Sequence, residues 1–78
     1  LNEGIYLFTT KTCPNCKIAK DFLKNIFYSI IDAEENLEIA VQYKILQAPT
    51  LLVIKNGENP LNIVGVSNIK KFVEKEAW

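Results

Sequence analysis

Thr9-Thr10-Lys11-Thr12-Cys13-Pro14-Asn15-Cys16-Lys17 contains both cysteines of the 78-residue chain, held two residues apart around a Pro-Asn pair. Upstream lies Ile5-Tyr6-Leu7-Phe8-Thr9, a short apolar and β-prone run bounded by Gly4, the pattern of a strand covered on both faces. Downstream, Cys13 to Asn25 reads as a helix. Pro14 suits its first turn, Ala19, Phe22, Leu23 and Ile26 recur at helical spacing, and Lys17, Lys20, Asp21 and Lys24 take the other face. Both thiols therefore fall at the joint between a strand and the start of a helix.

Working outward, Phe27 to Ile31 reads as a second strand, parallel to the first because a helix intervenes. Asp32 opens a polar turn into a second helix, Glu34 to Tyr43, with Leu37, Ala40 and Val41 inward. Thr50-Leu51-Leu52-Val53-Ile54 is a third strand. Asn56-Gly57 with Pro60 marks a tight connection into a fourth, Leu61 to Val64, which makes that pair an antiparallel hairpin. Gly65 ends it, Ser67 is placed to cap the last helix, and Ile69, Phe72, Val73 and Trp78 form that helix's apolar face. Tyr6, Phe22, Phe27 and Phe72 are read as core. The expectation is an α/β fold in the order β-α-β-α-β-β-α, a four-stranded mixed sheet with helices on both faces, over residues 1–78 as a single domain. The start at Leu1, where a complete chain would carry Met, is read as the sign of a segment excised from something longer.

Composition narrows the function classes. A chain of this length hides only about 60% of the surface that its unfolded form exposes, so one small core and one site are expected. Nine Lys balance nine Asp plus Glu, with neither Arg nor His, for a formal charge of zero. A nucleic-acid partner is not expected, because phosphate binding requires a basic excess. No apolar run approaches the roughly 18 residues of a membrane helix, and no secretory pattern stands at the start, so the expectation is a cytoplasmic protein without a membrane partner.

Three chemistries compete for Cys13 and Cys16. As a structural disulfide the pair would close a loop of about four residues, worth only about 2 kcal/mol in the chain-entropy model against nearly 5 for a loop of about 100. As a metal site it lacks ligands: zinc takes four, and the chain has one Cys pair and no His. As a reactive dithiol it is well placed. A free cysteine with a pKa near 8.5 is only about 3% thiolate at pH 7, and the unpaired N–H groups and positive dipole end at a helix start favour the thiolate. Cys13 is then the nucleophile. Cys16, one turn deeper on the same helical face, is the resolving thiol. Lys11 and Lys17 are candidates for added positive potential.

With this motif inside a βαβ pattern, and with Ala48-Pro49-Thr50 leading into the third strand, the chain resembles the thioredoxin and glutaredoxin superfamily over nearly its whole length. The resemblance implies a thioredoxin-like fold of glutaredoxin size and a dithiol electron carrier that needs no cofactor. It also implies that Pro49 is cis and faces the dithiol, leaving the Ala48 backbone for an extended substrate, although only about 5% of X-Pro bonds are cis. The implied substrate rim is Lys11, Thr12, Pro14, Asn15, Ala48, Pro49, Gly65 and Val66, with Phe8 and Thr10 beside it. Size and Lys11 are similar to glutaredoxins and to the small redoxins that accompany ribonucleotide reductases. Ala48 to Glu58 and Val64-Gly65 are similar to thioredoxins. Gly65-Val66-Ser67-Asn68 lacks the second glycine and the acid of a glutathione site, which points to a thioredoxin-reductase-like flavoenzyme as electron donor ahead of glutathione. Thr12 stands where thioredoxins carry tryptophan, and Leu7 where they bury an aspartate under the second cysteine. The expected activity is reduction of protein disulfides by a monomer, possible ribonucleotide reductase supply included. The rivals are a protein-binding module without redox turnover and a dimer carrying an iron–sulfur cluster.

Overall fold

The computed structural model describes residues 1–76, and the expected role of Trp78 lies outside the described residues. Seven elements follow in the order β1 (Gly4–Thr9), α1 (Pro14–Phe22), β2 (Ser29–Asp32), α2 (Leu37–Gln42), β3 (Thr50–Ile54), β4 (Leu61–Val64) and α3 (Val66–Glu76). The strands form one sheet in the order β2-β1-β3-β4, with β1 and β2 parallel and both other pairings antiparallel. Alternation along the two central strands sends Leu7, Leu51 and Val53 into a core with Ala19 and Leu23 of α1 and Ile69 of α3. Their neighbours Phe8 and Leu52 go into a second core with Ala40 of α2. Helices thus cover both faces, and none among the described residues is long and apolar enough to cross a membrane.

The three helices depart from their expected limits for local reasons. The first stops at Phe22 instead of Asn25. Leu23 N–H is shared between the Ala19 and Lys20 carbonyls, both at 3.1 Å, and Ile26 N–H reaches back only to Leu23 O, at 2.9 Å. These tight turns swing Ile26 back against the core. The second helix starts at Leu37 instead of Glu34, because the Asp32 carboxylate accepts the N–H groups of Glu34 (2.8 Å) and Glu35 (3.3 Å) and so competes with a helical turn. Its end carries a device that the residue types hide. Lys44 adopts a left-handed φ of 58°, Lys44 N–H bonds Val41 O at 3.1 Å, and Ile45 N–H bonds Ala40 O at 2.8 Å, the paired bonds of a Schellman end with lysine in the usual glycine position. The third helix makes its first internal bond from Ile69 N–H to Gly65 O, at 3.0 Å, so it springs from Gly65, and Ser67 lies inside its first turn instead of capping it.

Exposure corrects the expected burial of three residues, Leu37, Val41 and Phe27. Leu37 and Val41 are 65% and 76% exposed, leaving Ala40 as the buried residue of α2. A six-residue helix presents less than two turns to the sheet, and only one side chain of its apolar set points straight at it. Phe27 is 96% exposed, because the second strand pairs with β1 only from Ser29 onward and Phe27 precedes the first pairing. The strand therefore runs Ser29–Asp32 instead of Phe27 to Ile31. Tyr6, Phe22 and Phe72 are half-buried, and the Tyr6 hydroxyl donates to Asn2 O at 2.8 Å.

Candidate active site

The site grows from one end of the sheet. Phe8 pairs with Thr50, and Thr50 pairs with Val64, so the carboxy ends of β1 and β4 meet the amino end of β3. Besides the turn that follows β2, three connections leave or arrive at this end: Thr10 to Cys13 after β1, Gln47 to Pro49 before β3, and Gly65 after β4. The register thus gathers residues that are far apart in the chain, with Lys11, Thr12 and Cys13 from the first connection, Ala48 and Pro49 from the second, and Gly65 and Val66 from the third. A direct bond joins the last two groups, as Gly65 N–H donates to Pro49 O at 2.9 Å.

Cys13 occupies the N-cap of α1 with non-helical φ and ψ of −129° and 88°, and Pro14 follows in the first turn, where its missing N–H is no loss. Cys13 O accepts Cys16 N–H at 3.1 Å, and the two side chains are joined in a disulfide across a Cα–Cα distance of 5.3 Å. The two sulfurs differ in access. Cys16 is 3% exposed, on the α1 face that also buries Ala19, whereas Cys13 is half-exposed and Thr12, Pro14 and Asn15 around it are exposed. Cys13 is thus the sulfur of the pair that is open to contact from outside, and Cys16 is the enclosed one.

Opposite this helix start, the Ala48–Pro49 peptide bond is cis, Pro49 is buried and Ala48 is half-exposed. The Thr50 hydroxyl, fully buried, donates to Gln47 O at 2.6 Å and ties down the connection that carries the proline. Sequence reading overlooked this brace, whose signal was a threonine directly after the proline. Leu7 is fully buried in the core shared with Ala19 of α1, and among the described residues the buried polar side chains are Thr9 and Thr50, neither ionisable.

Lys11 has two acidic partners that the sequence did not show. Its ammonium pairs with Glu35 at 3.5 Å, with both side chains about two-thirds exposed, so its charge is shared with an acid. Its N–H donates to Glu34 Oε1 at 2.9 Å. The turn between β2 and α2, from which both acids come, was not among the expected site residues. Nothing in a run such as Asp32-Ala33-Glu34-Glu35 tells a solvated turn from one that grips a neighbouring loop.

Sequence and shape comparisons agree with this arrangement. The thioredoxin family model matches residues 3–75. The thioredoxin of Bacillus subtilis (strain 168) is 34% identical over 97% of this chain and 77% of its own length. Among solved structures, oxidised thioredoxin from Plasmodium falciparum superposes with a TM-score of 0.75 at 26% identity, over 95% of this chain and 80% of that one. A thioredoxin of Malassezia sympodialis shares the fold with a TM-score of 0.73 at 23% identity, over 95% and 74% of the two chains. The fold and the paired cysteines at a helix start define a thiol-disulfide oxidoreductase of the thioredoxin-like class. The chain belongs to the thioredoxin family, and its activity is that of a protein disulfide reductase.

Proposed function

We propose that Cys13 is the nucleophile and Cys16 the resolving thiol of a dithiol carrier that reduces disulfides in other proteins. The Cys13 thiolate attacks one sulfur of the substrate disulfide, forms a mixed disulfide and releases the other substrate sulfur as a thiolate. Cys16, deprotonated, attacks Cys13 Sγ and expels the second substrate thiolate, leaving the Cys13–Cys16 disulfide. Two electrons pass to the substrate, and the two protons from the dithiol end on the substrate thiols. The observation that carries this reading is the asymmetry of the pair: a half-exposed Cys13 at the N-cap of α1 bonded to a buried Cys16. With Thr9 and Thr50, the buried polar side chains among the described residues, not ionisable, the Cys16 proton leaves to water or to the departing substrate thiolate.

Lys11, Thr12, Pro14 and Asn15 on one side, with Ala48, Pro49, Gly65 and Val66 on the other, form the substrate rim in this reading. A thioredoxin-reductase-like flavoenzyme resets the disulfide, since Gly65-Val66-Ser67-Asn68 offers no second glycine or acid for glutathione. The cytosol, where thiols are kept reduced, suits a cycle run in this direction. The pair closes within one chain, so a monomer completes the turnover. A ribonucleotide reductase, whose catalytic disulfide must be re-reduced, is the substrate class that the small size suggests, and residues 1–78 act as one domain.

Insulin precipitation with NADPH and thioredoxin reductase tests the chemistry. Wild type precipitates insulin, Cys13→Ser does not, and Cys16→Ser accumulates a mixed disulfide. Insulin left soluble by the wild type under chemical reductant as well would favour a docking module and sink this reading. Turnover with glutathione reductase and glutathione but not with the flavoenzyme would reverse the assignment of the donor.

A further inference from the structure

Three links join the end of β1 and the connection that leads on to Cys13 with the turn between β2 and α2. Ala33 N–H donates to Thr9 O at 2.8 Å, Lys11 N–H donates to Glu34 Oε1 at 2.9 Å, and the Lys11 ammonium lies 3.5 Å from Glu35. The ion pair is open to water on both sides and contributes little. The main-chain bond is of another kind. Residues 10–12 are the whole span between the end of β1 and Cys13, and among the described residues the bond from Lys11 N–H to Glu34 is the one hydrogen bond that this span makes. Glu34 is itself held in place. Asp32 Oδ1 accepts the N–H of Glu34 and of Glu35, and the Asn36 amide donates to Asp32 O at 2.9 Å. A braced turn therefore presents the carboxylate.

We propose that Glu34 is a positioning residue for thiol-disulfide exchange: by gripping the Lys11 amide it sets the turn that delivers Cys13 to the N-cap of α1. The inference rests on Cys13 being the nucleophile. A hydrogen bond to an ionised acceptor is stronger than one between neutral groups, and the influence of a helix start on a thiolate fades within one turn. A connection freed from Glu34 lets Cys13 drift out of that range. Charge acts in the opposite direction, because a carboxylate near a thiolate disfavours it, so loss of charge alone would speed exchange. The two effects have opposite signs and can be told apart.

The experiment measures alkylation of Cys13 by iodoacetamide at neutral pH in a Cys16→Ser background, together with insulin reduction in the dithiol chain, with thermal unfolding as a check. Glu34→Ala is expected to slow both about fivefold, the value of one modest hydrogen bond. Glu34→Gln, whose amide oxygen accepts the same bond, restores most of the rate. Glu35→Gln, which removes a like charge without touching the Lys11 amide, does not slow either reaction. An alkylation rate in Glu34→Ala equal to or above that of its parent overturns the proposal, whatever happens to its melting temperature. So does a slowed rate that Glu34→Gln fails to restore. An inert Cys13 in the parent itself is a different failure, since it removes the nucleophile on which the oxidoreductase reading also depends.

Discussion

On one face of the sheet, Leu7, Leu51, Val53 and Ile63 meet Ala19, Leu23 and Ile69 from two helices, with Phe72 and Val73 packed around them. On the other face, one six-residue helix meets the sheet, and the fully enclosed set is Phe8, Ala40 and Leu52. The strands contribute alternate residues of the same runs to both faces, so the contrast comes from the helices. Two helices close a core from two sides. A single short helix leaves Tyr6, Ile31, Ile45 and its own Ile39 only half-buried. The cysteine pair belongs to the thick face, because α1 packs there through Ala19 and holds Cys16 buried. The turn that leads into the short helix of the thin face carries Glu34, and local hydrogen bonds to Asp32 brace it in place of deep packing.

The hardest test of this contrast is Leu7→Asp. It places a carboxyl in the thick core, and loss of packing with burial of a polar group should lower stability by about 4 kcal/mol or more, measured by urea unfolding. If the variant folds, the buried acid, whose charged form burial disfavours, should add an ionisation to the pH–rate profile of disulfide reduction. An unchanged profile would show that a carboxyl at position 7 does not control the Cys16 proton.

Next in size is a matched pair. Leu51 and Leu52 are adjacent and both fully buried, but they face opposite cores. Leu51→Ala should cost about 4 kcal/mol, and Leu52→Ala about 2.5, because the thin side can collapse into the cavity. Equal losses would erase the distinction between the faces.

Smaller again is Val41→Lys on the outer side of α2, expected to stay within about 0.5 kcal/mol of wild type by thermal unfolding. A loss above about 1 kcal/mol would mean that α2 buries the face first expected from its apolar pattern. Lys44→Gly should raise stability, by about 0.5–1 kcal/mol, since glycine takes the left-handed conformation without a Cβ clash. A destabilised Lys44→Gly would show that the lysine stem does more for the thin face than its backbone strain takes away.

Legibility followed the same division. The limits of β3 and β4, their hairpin and the parallel pairing of the first two strands could be read directly, because these runs are apolar, β-prone and punctuated by Gly, Asn and Pro. Ala19, Leu23 and Ile69 were identified as inward, since two helices of useful length express their period clearly. Leu37, Val41 and Phe27 were misjudged because an apolar side chain carries no mark of whether anything in this small fold is left to cover it.

The residues alone determined that two thiols stand at the start of a helix, because Pro14 and the apolar spacing beyond it are local signals, and they determined the run of strands and helices around that pair. Only the tertiary structure decided which distant segments share its end of the sheet, how far Cys16 is sunk below Cys13, and that an acidic turn grips Lys11. Those facts depend on register and on the depth of packing between elements, which arise from long-range pairing and leave no periodic trace in the chain.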